Sequence, residues 1–99
     1  MRYRLLSVAR SELAEAAKYY EAQSRGLGFE FMDEFDAVVE RIVRLPEGWK
    51  RVGTRHRRCL FRRFPYAVLY SARGSEITVS GVISLRRDPE IITRRIRNT

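Results

Sequence analysis

Arginine is the residue type with the greatest chemical capacity in this chain: 18 of the 20 basic residues are Arg. A guanidinium is a planar fork of N–H donors that matches carboxylate and phosphate and keeps its charge. Arg57, Arg58, Arg62 and Arg63 share one stretch with Phe61, Phe64, Tyr66 and Tyr70, and Arg86–Arg87 form a second pair downstream. Arg58, Arg62, Arg63, Arg86 and Arg87 are the candidate ligands for an anionic target. Groups able to move protons are scarcer. The single histidine, His56, reads as a surface-loop residue ahead of the central strands rather than as a catalytic acid or base, and no His or Tyr follows Tyr70. Cys59 lies in an apolar strand pattern and reads as a buried, inert thiol. One cysteine supplies neither a disulfide framework nor a multi-Cys metal site. No ligand cluster or glycine-rich phosphate loop implies a metal, nucleotide or organic cofactor.

The charge is unevenly spread. Residues 1–48 carry 7 Lys+Arg against 9 Asp+Glu, a balance of −2, while residues 49–99 carry 13 against 3, a balance of +10. The second half is therefore suited to nucleic acid or to an acidic protein segment. A solvated charged face that keeps a small protein soluble is the plainer explanation. The paired arginines argue against it, because pairs on neighbouring strands converge in space.

Those arginines need a scaffold. Arg2 to Leu6 alternate polar and apolar and read as a first strand. Ser7 is placed to cap the following helix, over which Leu13, Ala16, Ala17 and Tyr20 recur at helical spacing, with Glu12, Glu15, Lys18 and Glu21 on the other face. Gly26 reads as its left-handed C-cap. Leu27, Phe31, Phe35, Val38, Ile42 and Leu45, widened by Met32, Val39 and Val43, form the strongest apolar stripe, which Pro46 and Gly48 end. The short connection makes the two helices an antiparallel hairpin. Phe31, Met32 and Phe35 read as core.

Beyond Trp49 the period changes from 3.6 to 2. Lys50–Gly53 is a candidate short edge strand and Thr54–Arg57 a turn. Arg58–Arg63 and Tyr66–Ala72 are strands separated by Phe64–Pro65. The second is apolar on both faces, as a central strand is. Residues 73–76 form a hairpin loop. Ile77 to Leu85 alternate, with Ile77, Val79, Gly81, Ile83 and Leu85 on one face. Asp88–Pro89 start a short C-terminal helix whose Ile91, Ile92 and Ile96 dock, leaving Arg94, Arg95 and Arg97 outward. The expected architecture is α+β, β-α-α-β-β-β-α: a helical hairpin on a mostly antiparallel twisted sheet, closed by a short helix.

At 99 residues with 44% hydrophobic content, residues 1–99 make a single domain with enough apolar material for one core. No apolar run approaches the ~18 residues of a membrane span, and the N-terminus lacks a signal-peptide pattern. A bacterial-type cytoplasmic protein is the simplest placement.

Three segments carry a resemblance. Tyr19-Tyr20-Glu21-x-Gln23-Ser24-x-Gly26-Leu27-Gly28-x-x-Phe31, then Arg62-Arg63-Phe64-Pro65-Tyr66-Ala67-Val68-Leu69-Tyr70, then Arg86-Arg87-Asp88-Pro89 resemble the ParE/RelE toxin superfamily of bacterial type II toxin–antitoxin systems. The likeness runs over roughly residues 2–90 in the same order. It implies a small toxin neutralised by a cognate acidic antitoxin that wraps it, with the pair binding operator DNA through the antitoxin. Arg58, Arg94 and Arg95 are the arginines expected to meet that antitoxin.

The superfamily divides by target. Members resembling RelE cleave mRNA on the ribosome, using the 2′-hydroxyl as nucleophile, which calls for a base, an acid and phosphate-binding cations. Many relatives have a histidine near the Ser84 position, and here Ser84-Leu85-Arg86-Arg87 stands there. Members resembling ParE poison DNA gyrase and need no acid–base pair of their own. Gyrase inhibition is the favoured expectation, with an mRNA endonuclease and a non-toxic nucleic-acid-binding module as alternatives.

Overall fold

The period-2 segments pair into one five-stranded sheet, and the two period-3.6 segments lie across it. The computed structural model describes residues 2–87 and 90–97. The strands are β1 (Arg2–Leu5), β2 (Lys50–Val52), β3 (His56–Leu60), β4 (Tyr66–Arg73) and β5 (Glu76–Ser84). The helices are α1 (Ser7–Gln23), α2 (Leu27–Arg44) and α3 (Ile91–Arg97). Sheet order is β1-β5-β4-β3-β2, with β1 parallel to β5 and every other pair antiparallel. The α+β architecture is as expected. The candidate edge strand at Lys50 forms, so four strands follow the hairpin.

The core lies between the hairpin and one sheet face. Phe31, Phe35, Val38, Val39 and Ile42 of α2 and Ala9, Leu13 and Ala16 of α1 meet Cys59, Val68, Tyr70, Ile77 and Val79. Leu45 and Met32 do not join them: both are exposed, since Leu45 stands beyond the last helical residue and Met32 at the margin of the stripe. The expected alternation of the last strand also breaks. A register shift pairs Leu69 with Gly81 but Tyr70 with Val79, leaving Ser80 as an extra residue. Val82, rather than Gly81, then joins Ile77 and Val79 in the core.

Two caps differ from expectation. Ser7 is the first helical residue and caps nothing; Leu6 holds the N-cap position without a side-chain bond. The ladder runs right up to it, the Leu6 N–H donating to Val79 O at 3.0 Å. Gly26 does take the left-handed conformation, φ 89°, but as the residue that opens α2. The Glu21 carboxylate fastens this turn, accepting the N–H groups of Gly26 and Gly28 at 3.0 Å. At Gly28 a Cβ would stand 2.7 Å from Ala17 O, so glycine is what lets the two helices close.

β1 ends opposite Val79, which leaves the later half of β5 without a strand neighbour on that side. Glu12 and Arg95 fill the place. Val82 N–H donates to Glu12 Oε1 at 3.0 Å, Arg95 Nη1 donates to Ser80 O at 2.9 Å, and the two side chains pair at 2.6 Å. Glu12 is thus no solvent-face residue, and Arg95 points inward. A backbone edge that water or another strand would otherwise satisfy is closed by one ion pair. Ile96 packs toward Gly53, anchoring α3 over the β2–β3 turn. The expected Asp88–Pro89 helix start lies outside the described residues.

Candidate functional site

The β3–β4 connection, residues 61–65, carries Arg62 and Arg63 and rests on an aromatic cluster. Phe31 of α2 stacks on Phe61 with centroids 4.8 Å apart and meets Phe64 and Tyr66 at 5.0 and 5.1 Å. Tyr20 of α1 closes on Phe64 at 4.7 Å. Such pairs add directional preference to the area they bury, so the loop has one seat. Its backbone is fixed as well. Phe61 N–H donates to Tyr66 O, and Tyr66 N–H donates to Phe64 O.

Glu34 completes the support. This α2 carboxylate is buried, 9% exposed, and accepts the backbone N–H of both Arg62 and Arg63. Arg63 then folds over it: Nη1 meets Glu30 Oε1 at 3.0 Å, Nε lies 3.5 Å from Glu34, and the guanidinium sits 5.6 Å above Phe64. The signal for Glu34 was present as an acidic residue interrupting the apolar stripe between Phe31 and Phe35. Its partner, being backbone, was not.

The second arginine pair reaches the same end of the sheet through register. Tyr66 lies opposite Ser84, and Leu85 N–H donates to Pro65 O at 2.8 Å. Arg86 N–H donates to Ser84 Oγ at 3.3 Å, which turns the chain as it leaves β5. Arg62, Arg63, Arg86 and Arg87 are therefore gathered around Phe64–Tyr66, all exposed. Among the described residues no carboxylate pairs with Arg62, Arg86 or Arg87. Arg58 stands apart, half-buried in β3 between Lys50 and Leu69.

Two phenols, Tyr20 and Tyr66, border this platform, and no local pattern in the sequence singles them out. Burial pushes Tyr66 up, against a smaller lowering by Arg87 and by its hydrogen bond with Ser84. Burial also pushes Tyr20 up, reinforced by Tyr66 and Tyr19 and opposed by Arg86. Both hydroxyls are accordingly protonated near neutral pH: each can donate a hydrogen bond, and neither is poised as a base. Both precede the end of β5 in the chain and reach it because α1 and the start of β4 fold back beside it.

His56 corrects the loop reading. It opens β3 opposite Val52 and is buried, 8% exposed, at the far end of the strand from the platform. Burial, then Arg55, holds its imidazolium below the usual histidine range. Cys59 is buried in the core, and burial pushes its thiol up, in keeping with an inert side chain. Tyr70 is also buried, pushed up to about 12 chiefly by burial, and its hydroxyl donates to Pro46 O. No group of three or more His, Cys, Asp or Glu suited to a metal ion occurs among the described residues.

No family model and no curated protein matches the sequence. Among solved structures the chain is similar to one of the chromosomal ParDE TA system from P. aeruginosa. The TM-score is 0.61 at 17% identity, over 85% of this chain and 95% of that one. That likeness is one of fold, in keeping with the ParE/RelE resemblance of the three sequence segments. Within it, the Tyr19–Phe31 segment forms the hairpin turn, with Tyr20 and Phe31 under the platform. The Arg62–Tyr70 segment supplies the platform and the central strand. Of the arginines expected to face an antitoxin, Arg94 is exposed and Arg58 half-buried, whereas Arg95 is committed to Glu12. No helix of the described residues is long and apolar enough to cross a membrane.

Proposed function

We propose that the chain is the toxin of a type II toxin–antitoxin pair and arrests growth by inhibiting DNA gyrase, its arginine platform being the target-binding surface. One observation carries this reading. The platform is held by Glu34 and the aromatic cluster, yet among the described residues the ionisable groups beside it are protonated phenols and carboxylates already engaged by Arg63 and the loop backbone. Such a surface is suited to anions and, among the described residues, has no group set to accept a proton. A poison that acts by holding another enzyme needs no more than this.

The partner that neutralises it is an acidic antitoxin, for which Arg58 and Arg94 remain the proposed contacts. Exposed Phe29, Met32 and Tyr19 on the hairpin add apolar surface that a wrapping segment would cover. The test is purified protein with gyrase: supercoiling should stop and cleaved DNA accumulate, with both effects relieved by the antitoxin. The placement of Tyr20 and Tyr66 beside Arg86–Arg87 favours the second reading, an mRNA endonuclease, because a phenol can protonate a leaving oxygen. Codon-phased cleavage on translating ribosomes would establish that activity instead.

A further inference from the structure

The other end of the sheet holds a second arginine cluster. An open groove of ≈ 790 Å³ lies where the β2–β3 and β4–β5 turns meet the start of α1 and the end of α2, with Arg51, Arg55, Arg57 and Arg73 along its walls. Among the described residues Glu47 is the one acidic residue lining it, which sets four positive charges against one negative. Two guanidiniums are positioned by backbone carbonyls: Arg51 Nη2 donates to Thr54 O at 3.0 Å, and Arg57 Nη1 donates to Trp49 O at 2.9 Å. Each has further donors to offer. No carboxylate pairs with any of the four among the described residues. Thr54, Ser71 and Thr78 add hydroxyls to the lining.

From this groove we infer a second anion site that takes the phosphate backbone of duplex nucleic acid without reading its sequence. Forked donors interspersed with hydroxyls are what phosphate oxygens accept from. Base stacking is not on offer, because among the described residues no aromatic ring other than the buried His56 imidazole lines this surface, and contacts to phosphate carry the binding. An acidic peptide is the less suitable occupant. Peptide-binding grooves take their specificity from apolar pockets, and among the described residues here only Leu6, Pro46 and Ala72 are apolar.

The spacing adds a constraint. β4 runs from Tyr66 at the platform to Arg73 at the groove, seven residues or ~23 Å at strand rise. That is about seven base-pair steps of a duplex at ~3.4 Å each. At that separation a duplex seated in the groove leaves the platform arginines to their own target. The chain would then contribute its own DNA contacts, beyond those reached through an antitoxin, and this holds whether or not gyrase is the target.

The experiment measures binding of a 20-base-pair duplex of arbitrary sequence across a salt series, for wild type and for Arg55→Ala/Arg73→Ala. Both residues are exposed, so thermal melting of the variant serves as the folding control. The slope of log affinity against log salt should fall by about 1.8, two phosphate contacts at ~0.9 each. The resonances of the sole histidine, His56, should move when the duplex is added to wild type. An unchanged slope with unmoved His56 resonances overturns the site. So does a polyglutamate peptide that shifts His56 at concentrations where the duplex does not, since the groove would then belong to acidic polypeptide.

Discussion

The two ends of the sheet anchor arginine in opposite ways. At the platform end, Arg63 is bound to Glu30 and Glu34, its backbone is held by the same Glu34, and five aromatic rings lie beneath. At the groove end, arginines lean on backbone carbonyls, and two glycines in left-handed conformation, Gly53 at φ 70° and Gly74 at φ 59°, make the turns. Carboxylate anchoring costs net charge and gives position. Carbonyl anchoring keeps the charge and leaves position looser. A surface that must fit one protein target suits the first, and one that meets any phosphate backbone suits the second.

The sharpest way to break this contrast is Glu34→Ala. It leaves two backbone N–H groups without their carboxylate, a loss on the order of 3 kcal/mol. A domain of this size should then melt roughly 10–20 °C lower. Circular dichroism checks it, and Glu34→Gln should recover part of the loss by keeping an acceptor.

Next comes Glu12→Ala, which unpairs Val82 N–H and removes the carboxylate partner of Arg95 at the sheet edge between the two ends. A cost of about 2 kcal/mol is expected. The double variant with Arg95→Ala should cost less than the sum of the single changes. Additive losses would mean that the pair does not act as one edge cap.

A smaller effect separates the ends by pH. The folded-state His56 titrates below its unfolded value of ~6.5, so the unfolded chain takes up the proton first. Its stabilising contribution is present above that value and is lost as pH falls through the histidine range. Melting of wild type from pH 8 to pH 5 should therefore decline more than melting of His56→Gln. The smallest structural effect belongs to Arg87→Ala at the platform, which should leave melting unchanged while abolishing growth arrest. Retained toxicity would assign Arg87 to solvent or to the antitoxin.

What could be read from the sequence follows the physics of periodicity. The hairpin, the central β4 and the arginine-bearing loop declare themselves because apolar spacing is a local signal. Three things do not. The bulge that moves Val82 into the core depends on how β5 registers against β4. Arg95 turns inward only because β1 is too short to cover β5, a length comparison between distant segments. Tyr20 and Tyr66 meet Arg86 and Arg87 through the fold-back of α1 and β4, which no window on the chain contains. Glu34 was visible as an anomaly in an apolar stripe, and a buried carboxylate there implies a donor nearby without saying which.

The central claim is that the platform holds its target and moves no protons. It is tested most directly by adding purified protein to DNA gyrase in a supercoiling reaction, with Arg63→Ala and Arg87→Ala as controls. The expected result is loss of supercoiling with trapped cleaved DNA for wild type and restored supercoiling for both variants. Undisturbed supercoiling together with codon-phased cleavage of mRNA on translating ribosomes would contradict it.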